Sequence, residues 1–183
     1  VNRVDDIRDI GLGIVSPDGK EGMQQHAREF AALRIPFIFD PGQGLPLFNG
    51  EELAELIHHA SYLTVNDYEA RLLSERTGWS IGDIADRVDA LVVTMGGEGS
   101  VIHADGATYA IPAVRPTAIV DPTGCGDAYR AGLLYGIAQR WDWQASGNLA
   151  SVMGSIKIAS RGGQNHALDR DTIASRYRDA FGE

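Results

Sequence analysis

The feature that most limits the fold of this chain is a repeated pairing of a short apolar run with a longer amphipathic stretch. The runs are Leu12–Ser16, Pro36–Phe39, Ser61–Val65 and Ala90–Thr94, and between them lie Lys20–Leu33, Glu51–His59 and Asp67–Thr77. Parallel strands cannot be joined by a tight turn and need a crossover, usually a helix, so this rhythm predicts an α/β fold with a mostly parallel sheet flanked by helices. Met23, Ala27, Phe30 and Ala31 recur at helical spacing and form the expected inner face of the first helix. Gly78 should stop the third. Ala90–Thr94 is the most apolar run and is expected inside the sheet.

Beyond the Gly-rich turn Gly96–Gly99, Ser100–Ala104 and Thr108–Ile111 read as a hairpin about Asp105 and Gly106. Three helices should follow, over Gly124–Arg140, Gln144–Ser160 and Asp171–Ala180. No repeat, low-complexity tract or linker interrupts the pattern, which predicts a single layered domain over residues 1–183.

The formal charge of −9 argues against binding nucleic acid or anionic membrane nonspecifically, since no Lys/Arg cluster offsets it. No apolar run approaches the roughly 20 residues of a membrane-spanning helix. The opening residues show no export signal. A single cysteine, Cys125, excludes an intrachain disulfide and a Cys-rich zinc site, and the expected compartment is the cytoplasm.

Chemistry concentrates in Asp121-Pro122-Thr123-Gly124-Cys125-Gly126-Asp127-Ala128-Tyr129-Arg130-Ala131-Gly132. Small residues here enter a helix whose first N–H groups lack partners within the helix, which makes an anion site. Asp127 in the first turn would face the same place and accept a proton from an alcohol, the minimum for phosphate transfer to a hydroxyl. Read alone, the string is equally a Gly-rich helix start with an acidic residue in its first turn.

Three weaker elements accompany it. Asn66 and Glu69 follow a strand, and Glu69 is placed to hold Mg2+ through water; by themselves they also make a capping box. Thr94, Gly96 and Gly99 follow the next strand in a Gly-rich turn. Ser160-Arg161-Gly162-Gly163-Gln164-Asn165-His166 follows a long helix, and His166 reads equally as a surface residue.

In this order the four elements resemble the ribokinase (pfkB carbohydrate kinase) family. The form Asp-Pro-Thr-Gly-x-Gly-Asp-x-Tyr-Arg-Ala-Gly is most similar to that of bacterial adenosine and other nucleoside kinases. The resemblance implies a three-layer ribokinase-like fold and a kinase that uses ATP and Mg2+. Asp127 would be the base, and Gly124, Cys125 and Gly126 the anion-hole amides, with Cys125 a small filler rather than a nucleophile. Asn66, Thr94, Gly96 and Gly99 would lie near the nucleotide and Glu69 near Mg2+. Asp121, Thr123 and Gly163 would hold a monovalent cation such as K+.

The acceptor implied is a nucleoside, through its ribose 5′-hydroxyl. A sugar kinase of the ribose or fructose type and a non-catalytic nucleotide-binding fragment are the alternatives. The family's N-terminal Gly-Gly sugar-binding segment and small β lid have no counterpart before Leu12. A C-terminal portion is therefore expected, with a second copy or an N-terminal half as partner and little activity alone.

Overall fold

The computed structural model describes residues 2–165 and 168–182. His166 lies outside them. Six strands form one sheet in chain order: β1 (Gly13–Val15), β2 (Phe37–Phe39), β3 (Tyr62–Asn66), β4 (Ala90–Thr94), β5 (Ser100–Ala104) and β6 (Ala107–Ile111). The first four run parallel, with Ile14 beside Ile38, Phe39 beside Leu63 and Asn66 beside Thr94.

Their crossovers are α1 (Lys20–Ala32), α2 (Gly50–His59) and α3 (Asp67–Thr77) with the short α4 (Ile81–Ala85). The expected α/β class with a mostly parallel, helix-flanked sheet is found. The sequence did not signal α4 through apolar periodicity. It forms because Ser80 and Asp83 close a capping box around a single turn of helix.

Contacts divide the chain into two compact units. The first comprises Val1–Met95 with Ile102–Thr108, the second Gly96–Val101 with Tyr109–Glu183. In the first unit Met23, Ala27 and Phe30 of α1 are buried while Ala31 is only half-buried, and the Phe30 ring lies 5.4 Å from that of Phe37. Leu53 and Ile57 of α2, Leu63 of β3 and Leu73 of α3 are fully buried. Each such side chain contributes about 1.5–3 kcal/mol of transfer free energy. Gly78 ends α3 at φ 73°, a left-handed position that glycine takes without steric cost.

Asp105 and Gly106 both have positive φ, 54° and 71°, the pattern of a two-residue type I′ turn, so the expected hairpin is present.

The second unit is built on α5 (Cys125–Ala138), α6 (Trp143–Lys157) and α7 (Arg170–Phe181). The first two lie unusually close. A Cβ added to Gly132 would stand 2.7 Å from Ala150 Cα, and one added to Gly136 would stand 2.4 Å from Ser146 Oγ. Glycines one turn apart on α5 thus let α6 approach backbone to backbone, which fixes the axis of the helix that begins at Cys125. No helix among the described residues is long and apolar enough to cross a membrane.

Candidate active site

In the first unit the candidate residues stand at the C-terminal ends of two neighbouring parallel strands, where open α/β sheets bind their ligands. Asn66 ends β3 and is in register with Thr94 at the end of β4. The Thr94 hydroxyl reaches the Val65 carbonyl at 3.5 Å.

Asn66 caps α3: its Oδ1 accepts the Glu69 N–H at 2.8 Å, and Glu69 Oε2 accepts the Asn66 N–H at 2.8 Å. The capping box is therefore formed, and it holds the half-buried Glu69 carboxylate at the strand end. A carboxylate engaged through one oxygen can still bind a hydrated Mg2+ through water. Among the described residues no cluster of three or more Asp, Glu, His or Cys could hold a metal. This donor set fits a metal that arrives already bound to phosphate groups, and the described residues supply no dedicated cage.

In the second unit the turn after β4 contains Gly96 at φ 57° and Gly99 at φ 93°. A Cβ on Gly99 would lie 2.1 Å from the Ile111 carbonyl oxygen, so the turn is pressed against the end of β6.

The start of α5 is tied down from several directions. Gly124 is the N-cap, at φ 80°, and a Cβ there would meet the Gly163 carbonyl oxygen at 2.9 Å. Both the dihedral and the space therefore require glycine. The Cys125 N–H donates to the Pro122 carbonyl at 3.0 Å and closes a turn, so this one of the three expected anion-hole amides already has an acceptor. Burial pushes the Cys125 thiol up, the opposite of nucleophile activation.

Asp127 projects into solvent, its side chain 79% exposed, and Oδ1 accepts from Arg130 Nη2 at 3.0 Å. Arg130 folds back over the helix start because Gly126 has no side chain: Nη1 would be 2.9 Å from a Cβ there. Two residues on, Tyr129 is anchored by a 2.6 Å hydrogen bond with Ser100 Oγ, and burial pushes its hydroxyl up to about 12.

Asp121 organises the turn before α5. Its Oδ1 accepts the Thr123 N–H at 2.9 Å and its Oδ2 the Gly162 N–H at 2.7 Å. These donors hold its carboxyl down at about 2, so it is ionised throughout the physiological range. The structure thus gathers Asp121, Thr123, Gly124 and Gly163 at one junction.

Sequence reading passed over Arg130, Ser100 and Lys157. The spacing of Arg130 from Asp127 was a usable signal, since residues three apart on a helix meet. Nothing in the sequence pointed to the other two.

A cavity of about 890 Å³ in the second unit is lined by Tyr135, Trp141, Met153 and Tyr177 among others, and by none of the candidate residues.

Residues 10–170 match the pfkB family carbohydrate kinases, and the chain belongs to that family. A nucleoside kinase of Methanocaldococcus jannaschii is 36% identical over 138 residues, 75% of this chain and 46% of that protein. The Bacillus subtilis ribokinase is 31% identical over 139 residues, 76% of this chain and 45% of the ribokinase. Among solved structures, the nucleoside kinase of Burkholderia thailandensis in complex with ADP-inosine superimposes with a TM-score of 0.98 at 52% identity. That match covers 100% of this chain and 57% of the other. The chain spans about half the length of the relatives it matches. The fold is the three-layer, ribokinase-like one.

Proposed function

We propose that these residues form the ATP-binding and catalytic portion of a nucleoside kinase that phosphorylates the ribose 5′-hydroxyl. The observation that carries this reading is the exposed Asp127 carboxylate in the first turn of α5, beside a Gly124-Cys125-Gly126 turn pinned by Asp121. The likeness to nucleoside kinases supports the choice of acceptor.

The substrate hydroxyl loses its proton to Asp127 as its oxygen bonds to the γ-phosphorus. The bond from that phosphorus to the bridging oxygen breaks, and ADP leaves. The amides of Gly124 and Gly126 face the charge that develops on the transferred group, and the field at the start of α5 adds to them. The Cys125 amide joins them only by sharing its hydrogen with Pro122. Arg130 orients the base by holding one of its oxygens.

Asn66, Thr94, Gly96 and Gly99 are assigned to the nucleotide. Glu69 is assigned to water on Mg2+, which when bound neutralises the phosphates. K+ is left out of the proposed set, because an ammonium already binds one carbonyl of the Asp121 turn.

The test is a substrate panel in which inosine and adenosine are phosphorylated faster than ribose or fructose. Preference for a free sugar would favour the ribokinase-like alternative, which the B. subtilis relative keeps in view. Nucleotide binding without transfer to any acceptor, even with the front half of a full-length relative supplied, would favour the non-catalytic one.

A second expectation concerns Glu69. Glu69→Gln should raise the Mg2+ concentration needed for half-maximal rate while circular dichroism stays unchanged. An unaltered Mg2+ titration would leave Glu69 as a helix cap only.

A further inference from the structure

We propose that the side chain of Lys157 is a built-in substitute for a monovalent cation, fastening the turn that carries Gly124 to the loop after α6. Lysine is almost never fully buried unless paired, yet Lys157 is 0% exposed. Its Nζ donates to two main-chain carbonyls, Ser160 at 3.0 Å and Asp121 at 3.3 Å, and it makes no ion pair at contact distance among the described residues. Carbonyl oxygens converging on a compact positive charge are what K+ seeks when it sheds its hydration shell. Here the charge is delivered by the chain. It comes from the last residue of α6, where the negative end of the helix dipole also favours it.

The residues present do not fit the K+ set implied by family resemblance. Both carboxylate oxygens of Asp121 accept backbone N–H groups, from Thr123 and Gly162, and its carbonyl accepts from Lys157. A second cation at this junction would meet the lysine's charge at close range and compete with it for the Asp121 carbonyl.

The ammonium also has a mechanical consequence. The N–H groups of Val120 and Asp121 both donate to the Ile158 carbonyl, at 2.9 and 3.1 Å, and Gly163 presses on Gly124. Lys157 closes this set of contacts, and with it the position of the first turn of α5. It is a positioning residue, remote from the reacting atoms. Its importance for transfer rests on reading that turn as the phosphate site, whereas its role as a cation does not.

The experiment is thermal melting of the full chain in KCl and in tetramethylammonium chloride at matched ionic strength, with nucleoside phosphorylation followed in the same solutions. Wild type should melt at one temperature in both salts and, where it transfers phosphate, do so at equal rates. Lys157→Met and Lys157→Ala should melt lower in tetramethylammonium. Lys157→Ala, which leaves space for an ion, should regain part of the loss in K+ or methylammonium.

A wild-type melting temperature that rises with K+ overturns the proposal, and this comparison stands even if neither variant folds. A Lys157→Ala protein that neither K+ nor methylammonium restores also overturns it, because the lysine would then be a packing strut. Absence of phosphate transfer in every solution, with the front half of a full-length relative added as well, would instead refute the kinase reading, with the melting result unaffected.

Discussion

Replacing Asp127 with asparagine is expected to slow phosphate transfer by about 10²–10⁴-fold, the usual cost of losing a general base, while binding of Mg-ADP is nearly unchanged. The substitution keeps size and hydrogen-bonding shape, and Asp127 is exposed, so the fold has little to lose. The ion pair with Arg130 goes too, but an exposed pair contributes little to stability. Loss of rate would therefore report on proton acceptance. The measurement is turnover and Mg-ADP affinity on the same preparation, in whichever form transfers phosphate. Near-wild-type turnover would remove Asp127 from the mechanism. A collapse in both turnover and nucleotide affinity would assign the residue to the nucleotide site instead.

The second large effect concerns how much of an enzyme these 183 residues make. The chain should bind Mg-ADP measurably by calorimetry. It should phosphorylate a nucleoside several orders of magnitude more slowly alone than with the front half of a full-length relative supplied in trans. The resemblance assigns the acceptor-binding segment and lid to that front half, and the chain matches only about half the length of its relatives. Holding the hydroxyl against the phosphorus and excluding water supply about 7–11 kcal/mol of barrier lowering in well-oriented systems. A site without those parts forfeits much of that, and hydrolysis of ATP by water should then compete with transfer. If the chain alone is as fast as the mixture, the acceptor pocket lies within these residues and the reading is wrong.

The sequence by itself determined the fold class and where the candidate residues fall along it. Alternation of apolar runs with helical stretches specified the crossovers, because only a parallel sheet accommodates that rhythm. Gly78 and the Asp105-Gly106 pair marked ends and turns through their backbone freedom. Those are local properties, so a sequence displays them. The edges moved slightly: β3 begins at Tyr62 and ends at Asn66, one residue later than the apolar run, since strand pairing and not hydrophobicity sets its limits.

What only the tertiary structure decided is which of its possible partners each group takes, near or far along the chain. Asn66 and Glu69 offered a cap and a metal ligand at once, and the folded chain forms the cap without removing the carboxylate from the strand end. The Gly124 turn looked like a free anion site, yet one of its amides is turned onto Pro122. Lys157 gave no sign of its role, being one lysine at the end of a mostly small and apolar helix. Its partners are main-chain carbonyls, which every residue possesses, so no side-chain pattern announces them. Folding alone brings Ser160 and Asp121 to the same ammonium.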